Sequence, residues 1–427
     1  MNRRTRKSCP IHLCLAALFL SVASPLWAQP AAESGKPTST LKQAFEAAWA
    51  RQPEARSLAE RRDAASARRE AAGSWLAAPP ALELSNKTDQ ITHNQGSREY
   101  VTGLALPLWL PGERARTAAV ADAESRMVSS RTLSAQLRIA ANVREAWWNW
   151  QRTRSEQALA RERLINAQQL AGDVSRRFKA GLLARSDQYQ ADGAVAHAEM
   201  ALAEADAKLA ATSQNLRALT GVTPQGEPPG TLEPLPNFPK DLAALDTTHP
   251  AVVELLDRAD VARKNAELAE SQTRANPELT LAATRDRGAF GASWQQTITV
   301  GFRLPFGSDS RYRAKAGAAR SEMIEAEAQL RLERERLIAD LEAARIRVES
   351  ARLQLAAAER RARLARESHG FFDKSFRMGE ADLPTRLRIE FEANEAERQA
   401  AHSRIELAAA VSAFRQALGL LPEQGNP

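Results

Sequence analysis

The stretch that decides the fold is Tyr100-Val-Thr-Gly-Leu-Ala-Leu-Pro-Leu-Trp109-Leu-Pro-Gly-Glu113. Tyr100, Thr102, Leu104, Leu106 and Leu108 alternate with smaller residues, which is the period of a β-strand with one apolar face. Two prolines then end the strand, and no further proline occurs from Gly112 to Thr223. That window is dominated by Ala, Leu, Glu, Arg and Gln, the strongest helix formers. Apolar residues recur in it at three- and four-residue spacing, as in Ile139, Val143, Trp147 and Trp150. The pattern predicts one helix over 113–178, about 100 Å long at 1.5 Å per residue. Such a helix is a rod, several times longer than a compact domain is wide.

The same landmarks return near 200 residues later. Pro53 recurs as Pro250, and Pro80-Ala-Leu-Glu-Leu84 as Pro277-Glu-Leu-Thr-Leu281, each offset by 197. Leu106-Pro107-Leu108 recurs as Leu304-Pro305-Phe306, Phe178-Lys-Ala-Gly181 as Phe376-Arg-Met-Gly379, and Gly221 as Gly419, each offset by 198. Chance helical similarity does not align prolines and glycines, so the chain reads as an internal duplication. The first repeat spans 41–221, with helices at 41–77, 113–178 and 186–220 and strands at 81–87 and 98–109. The second spans 241–421, with helices at 250–275, 310–376 and 384–420 and strands at 278–285 and 295–306. Leu330, Leu337 and Leu341 repeat the helical spacing there, and Glu327–Arg331 and Glu359–Arg363 stand at i, i+4. Between the repeats, 222–240 holds six prolines and is expected to be an extended, semi-rigid linker. Residues 422–427 are a tail.

Residues 1–28 have the order of a signal peptide: the basic MNRRTRK, the apolar Leu13 to Val22, and Leu26-Trp-Ala28 as the cleavage site. Residues 29–40 follow as an N-terminal segment. Both cysteines, Cys9 and Cys14, fall inside the signal, so the exported chain is expected to have no disulfide or thiolate site. No lipobox surrounds Cys14, and no lipid anchor is expected. The 427-residue chain has net charge +7; without the signal it has 55 basic against 52 acidic residues. A nucleic-acid partner is set aside, because it would need a concentrated basic stripe. His93, His197, His249, His369 and His402 are scattered, with none at i, i+4. They do not form a metal site. No phosphate loop, nucleophile elbow or catalytic carboxylate pair is present; the expectation is no cofactor and no enzyme.

In each half the strands alternate. Leu82 and Leu84 oppose Glu83, Ser85 and Lys87; Ile298, Val300, Phe302, Leu304 and Phe306 oppose Thr297, Thr299, Gly301 and Arg303. One apolar and one small or polar face over about ten residues is the pattern of a membrane β-barrel strand. Four strands cannot close a barrel, and an open edge in lipid leaves backbone groups unpaired, so the chain must oligomerise. Three copies would supply 12 strands around a pore, with the helices continuing as a cylinder. Trp109 and Trp294 sit at strand ends, where barrel-interface aromatics belong. Trp147, Trp148 and Trp150 sit mid-helix, and packing between subunits is the expectation for them.

The duplicated half, the Pro80 and Pro277 strand starts, and Leu106-Pro-Leu-Trp-Leu-Pro-Gly-Glu-Arg114 together resemble a TolC-family outer-membrane efflux protein. The resemblance covers about Leu41 to Leu421, and the Pro-Leu-Trp-Leu-Pro-Gly-x-Arg strand exit is most similar to the CzcC-like heavy-metal branch. It implies a mainly α fold with a membrane β-barrel portion, a homotrimer with a 12-stranded barrel in outer-membrane lipid, and an α-helical coiled-coil tunnel across the periplasm. It also implies a periplasmic adaptor (membrane fusion protein) and an inner-membrane pump of the RND type as partners. Function then concentrates at the turns 176–188 and 374–386. The adaptor-docking candidates there are Ala180, Gly181, Leu182, Met378, Gly379 and Glu380; the periplasmic gate candidates are Asp187, Phe376, Asp373 and Asp382. Paired aspartates that some members carry after the second turn would fall at Thr385 and Arg388, so the match departs there. Asp373, Glu380 and Asp382 could supply a substitute acidic ring, although acids near a turn are commonly just solvated. Three readings stand: an exit duct for heavy-metal cations or other small toxic compounds, a type I secretion duct for proteins, and a periplasmic coiled-coil adaptor or scaffold.

Overall fold

A computed structural model describes residues 40–225, 233–238, 245–307 and 310–423. The signal segment and the segment after it therefore lie outside the described residues, apart from Thr40. The element order is α1 (Leu41–Ala50), α2 (Pro53–Arg56), α3 (Leu58–Gly73), β1 (Ala81–Thr88), β2 (Arg98–Pro107), α4 (Glu113–Lys179) and α5 (Arg185–Thr220). Then come α6 (Leu245–Thr248), α7 (Pro250–Ser271), β3 (Glu278–Arg287), β4 (Gln295–Arg303), α8 (Ser310–Met378) and α9 (Leu383–Ala417). Helix, strand, strand, long helix, turn and medium helix thus occur in the same order twice.

Two boundaries differ from the sequence expectation for local reasons. The helix expected over 41–77 runs as three pieces ending at Gly73, and its first break falls where Pro53 cannot donate to the preceding turn and Gln52 is held extended at ψ 140°. Strands β2 and β4 stop at Pro107 and Arg303, short of Trp109 and Phe306. Pro107 and Pro305 have no N–H with which to continue a ladder.

The long helices α4 and α8 have 67 and 69 residues. Buried positions in their lower halves fall seven, three and four residues apart: Ala160, Ala167, Leu170 and Val174 in α4, and Val348, Ala351, Ala358 and Ala362 in α8. Their partners match, with Ala191, Ala198 and Ala205 in α5 and Ile389, Ala393, Ala396 and Ala400 in α9. A sustained seven-residue repeat makes a left-handed coiled coil, and alanine at the seam lets the helix axes approach closely. The seams are bordered by arginine–carboxylate pairs, among them Arg404–Glu359 at 2.9 Å and Arg366–Glu397 at 2.8 Å between α8 and α9. Glu327 likewise pairs with Arg263 of α7 at 3.3 Å. The acids that sequence spacing assigned to pairs within α8 instead tie α8 to its neighbours.

The main core lies midway along α4. Trp147, Trp148 and Trp150 are buried there with Leu41 and Phe45 of α1, Leu216 of α5 and Ile405 of α9. The tryptophans therefore pack inside one chain, not between subunits as expected. The described part of the proline-rich segment is also docked. Phe238 stacks on Phe414 with ring centres 6.4 Å apart, and Glu233 is buried between two arginines. Its carboxylate lies 3.1 Å from Arg144 and 3.2 Å from Arg415, and it accepts from Ser412 Oγ at 2.5 Å. An extended, semi-rigid linker was expected; the described part of this segment is also a clasp across α4 and α9.

The four strands form one antiparallel sheet in the order β1-β2-β3-β4. Register puts Leu82, Leu104, Leu281 and Val300 in one row, and Leu84, Thr102, Ala283 and Ile298 in the next. Leu106, Leu279 and Phe302 make a third row on the same face. The opposite face carries Glu83, Gly103, Ala282 and Thr299, then Ser85, Val101, Thr284 and Thr297. The apolar face is open: Ile298 is 81% exposed, Leu84 71% and Val300 68%. Glu113, at the start of α4, joins sheet to helices. Its carboxylate accepts from the Leu110 amide at 3.0 Å, from Gln272 at 2.6 Å and from Asn276 at 2.8 Å.

Two stability predictions follow from the buried charges. Glu233 is the carboxylate shared by Arg144 and Arg415, and Arg415 has a second one in Glu423 at 2.7 Å. Its removal leaves two buried guanidinium groups facing each other, so Glu233→Gln should cost about 3–5 kcal/mol in thermal or denaturant unfolding. Burial pushes the His249 imidazole, at the N-cap of α7, down to about 4 from 6.5. Between those values the unfolded chain binds more protons, so stability falls as pH drops from 6.5 towards 4. The expected loss is about 1–3 kcal/mol per chain, and His249→Gln should flatten that acid limb in unfolding scans.

Candidate functional site at the helical turns

Each long helix ends in a glycine with positive φ, +74° at Gly181 and +83° at Gly379. At the first turn the Gly181 amide donates to Phe178 O at 2.9 Å and the Leu182 amide to Arg177 O at 3.0 Å. At the second, Gly379 donates to Phe376 O at 3.1 Å and Glu380 to Ser375 O at 2.9 Å. Both are Schellman caps, which satisfy the last helical carbonyls and need a residue that tolerates the left-handed region. No heavy atom would meet a Cβ at either glycine within 4 Å, so backbone conformation and not crowding selects glycine here.

Around these caps the predicted residues separate into two groups. Ala180, Gly181, Met378, Gly379 and Glu380 are exposed, and Leu182 is 74% exposed. They form the tip of the two hairpins, small or apolar apart from Glu380. Phe376, by contrast, is buried with Leu170, Val174, Ala191 and Leu383. Its ring is flanked by two guanidinium groups, Arg177 at 5.0 Å and Arg386 at 5.6 Å. Arg177 also donates to Phe376 O at 3.2 Å, which joins the first turn to the second.

The acids are engaged. Asp373 lies 2.9 Å from Arg386 and 2.8 Å from Arg377, so its charge is balanced twice. Asp187 sits one turn into α5, where its carboxylate accepts from the Ala184 amide at 3.0 Å. This is half of a capping box, since Ala184 has no side-chain acceptor to return the bond. Asp382 caps α9 by accepting from the Thr385 amide at 3.3 Å. Glu380 is held to Ser375 at 3.3 Å. These acids cap helices and balance arginines, and Arg176, Lys179 and Arg185 leave the first turn basic on its exposed side. Among the described residues no group of three or more His, Cys, Asp or Glu could hold a metal ion.

Sequence reading missed Arg177 and Arg386, which set the position of Phe376. Arg177 meets a carbonyl 199 residues away, and nothing in chain order announces that meeting. Their pairs at readable i, i+4 spacing, Arg177–Asp173 at 3.4 Å and Arg386–Glu390 at 3.0 Å, say nothing of that meeting. The two candidate interface tryptophans lie at opposite ends of the sheet. Trp109 follows β2 and donates to Ser74 O at 3.0 Å, while Trp294 precedes β4 at the loop end, 5.9 Å from Tyr100.

With this geometry in view, the comparisons with known proteins are specific about the fold. Residues 44–222 match the family model described as outer membrane efflux protein. Over 213 residues the chain is 26% identical to the cobalt-zinc-cadmium resistance protein CzcC of Cupriavidus metallidurans, covering 49% of this chain and 51% of that protein. The match thus spans about half the length of that relative. Among solved structures, the outer membrane protein VceC of Vibrio cholerae superposes with a TM-score of 0.70 at 17% identity, covering 89% of this chain and 96% of that one. CusC, a transmembrane channel, gives 0.72 at 17% identity, with 89% and 92% covered. The CmeC outer membrane channel of Campylobacter jejuni gives 0.69 at 15%, with 89% and 85% covered.

The caps make a direct prediction. An alanine at residue 379 must hold a left-handed conformation at about 1–2 kcal/mol, so Gly379→Ala should speed cleavage at this turn in limited proteolysis. Gly379→Asn, which tolerates that region better, should be cleaved more slowly than the alanine variant.

Proposed function

We propose that the chain is a TolC-family outer-membrane efflux protein, located in the outer membrane and extending into the periplasm, and that it is the passive exit duct of a tripartite pump. The observation that carries this reading is the single four-stranded sheet whose exposed apolar face and two unpaired edge strands are joined to helices of 67 and 69 residues. Backbone groups on the outer sides of β1 and β4 must find partners inside lipid. Pairing β4 of one copy with β1 of the next satisfies them, and three copies give a barrel of 12 strands. The small, polar face then lines the pore. This face supports a duct over a periplasmic scaffold, which would have no use for an outward apolar sheet.

In this proposal the coiled-coil ends bearing Gly181 and Gly379 face the inner membrane. Ala180, Leu182, Met378 and Glu380 meet a periplasmic adaptor, and Phe376 with its two arginines holds the turns at the mouth of the tunnel. Asp187, Asp373 and Asp382 serve the mouth as caps and counter-charges. The energy for export comes from an inner-membrane pump, for which the RND type is our proposal. Heavy-metal cations are the proposed cargo, supported by the similarity to a cobalt-zinc-cadmium resistance protein. A duct passes its cargo without holding it, and the chain's own residues offer walls and charge, not ligands.

A strain lacking this protein should become selectively sensitive to zinc, cobalt or cadmium, and the intact gene should restore growth. Sensitivity confined to dyes, detergents and antibiotics would overturn the metal cargo and leave the duct. Gly379→Trp, at equal abundance in the outer membrane, should lower metal export several-fold; unchanged export would remove the docking role from this turn.

A further inference from the structure

At the loop end of the sheet the ladder sorts charges by face. Lys87, Glu99, Asp286 and Gln295 share a row on the small, polar face. Asn86, Tyr100, Arg285 and Gln296 form the row next to the apolar band on the opposite face, and Thr88, Arg98 and Arg287 the row beyond it. Carboxylates therefore turn inwards and arginines outwards. Arg98 is paired with Asp89 at 2.9 Å, within its own loop. Arg285 and Arg287 are differently held. Each guanidinium lies 5.0 Å from the ring centre of Trp294. Arg287 also donates from Nε to Gly96 O at 3.1 Å and lies 5.7 Å from the Phe290 ring. These contacts are with rings and a carbonyl, and none brings a negative charge to the two cations.

We propose that Arg285, Arg287 and Trp294 form a site for the phosphate headgroup of an outer-leaflet lipid, on the outward face of the sheet where its apolar band ends. The proposal rests on the reading of that face as lipid-exposed. Guanidinium groups present a planar fork of donors that matches phosphate, and contact with Trp294 fixes them without consuming every N–H. Leu279 and Arg287 are eight residues apart on β3, about 26 Å of strand and roughly 20 Å of height at the usual tilt. The arginines thus reach headgroup level while Leu279, Leu281 and Ile298 lie among acyl chains. Free phosphate would find the same donors but nothing to lay against those rows, so the occupant is a lipid. The segregation also explains why two adjacent cations are tolerated on one face with no carboxylate beside them.

The test uses the full-length protein purified in detergent, with native mass spectrometry after adding diphosphorylated lipid A, dephosphorylated lipid A or inorganic phosphate. The wild type should hold the diphosphorylated lipid at least about tenfold more tightly than the dephosphorylated one. R285Q/R287Q should lose that preference, and R285K/R287K should keep only part of it, because the charge survives but the planar fork does not. Should the double glutamine variant fail to assemble, R285Q alone at its exposed position carries the same comparison. Equal preference in wild type and glutamine variants would overturn the site, as would inorganic phosphate competing as tightly as the lipid. Outer-membrane fractionation separates the two levels of failure. Wild type absent from that membrane sinks the lipid-facing reading itself, whereas wild type present there with no phosphate preference sinks the headgroup site alone.

Discussion

Every backbone N–H and C=O in a hydrocarbon layer needs a partner within protein, and this sheet leaves two edges without one. β1 and β4 are the outer strands of a four-stranded sheet, and one of its faces is leucine, isoleucine, valine and phenylalanine open to the surroundings. Neither feature is stable in water for an isolated chain: the face would aggregate and the edges would recruit strands. Inside a membrane, with copies closing the ring, both become assets. The rest of the architecture serves that closure. The duplication supplies two hairpins per chain, and in the proposed duct the helices would carry the pore beyond the bilayer.

The joint between the two materials rests on a few polar groups. Glu113 binds the strand exit, the end of α7 and the approach to β3 at once, through Leu110, Gln272 and Asn276. Such a carboxylate with several donors is satisfied in a buried place where a lone charge would not be. Farther along, Arg144, Glu233 and Arg415 clasp the proline-rich segment across two helices. At the far end Arg177 and Arg386 hold Phe376. Between these knots the helices are held by alanine seams and bordering arginine–carboxylate pairs, which adapt to small sliding movements more readily than interdigitated large side chains do.

The turns show how local and global demands share residues. Glycine at 181 and 379 is required by the caps alone, whatever docks there. Asp187 and Asp382 complete helix N-termini, and Asp373 balances two arginines. An acid at such a turn therefore need not act on passing cations; here helix capping, ion pairing and, for Glu380, a hydrogen bond from Ser375 account for the carboxylates' positions. What is left exposed at the tip is mostly small or apolar, with Glu380, Asp382 and several arginines and lysines around it.

Much of this was legible in the residues alone. Proline-free windows of good helix formers gave rods, period-two alternation gave strands with two unlike faces, and landmarks repeated near 198 residues gave the duplication. These signals are local: propensity, ring closure at proline and the left-handed conformation of glycine act within a few residues. The break at Pro53 and the early strand ends at Pro107 and Arg303 were readable too, had proline been weighed residue by residue. Tertiary structure decided which charges meet. Glu359 pairs with Arg404 and not Arg363, Glu233 docks a segment that composition reads as a spacer, and the tryptophans of α4 turn into their own chain's core. Each of these contacts closes a long loop or crosses between helices, so its energy depends on where the packed seams have already placed the partners. A chain's order specifies its helices and strands; only the packing of those elements fixes which distant charges and rings come within reach.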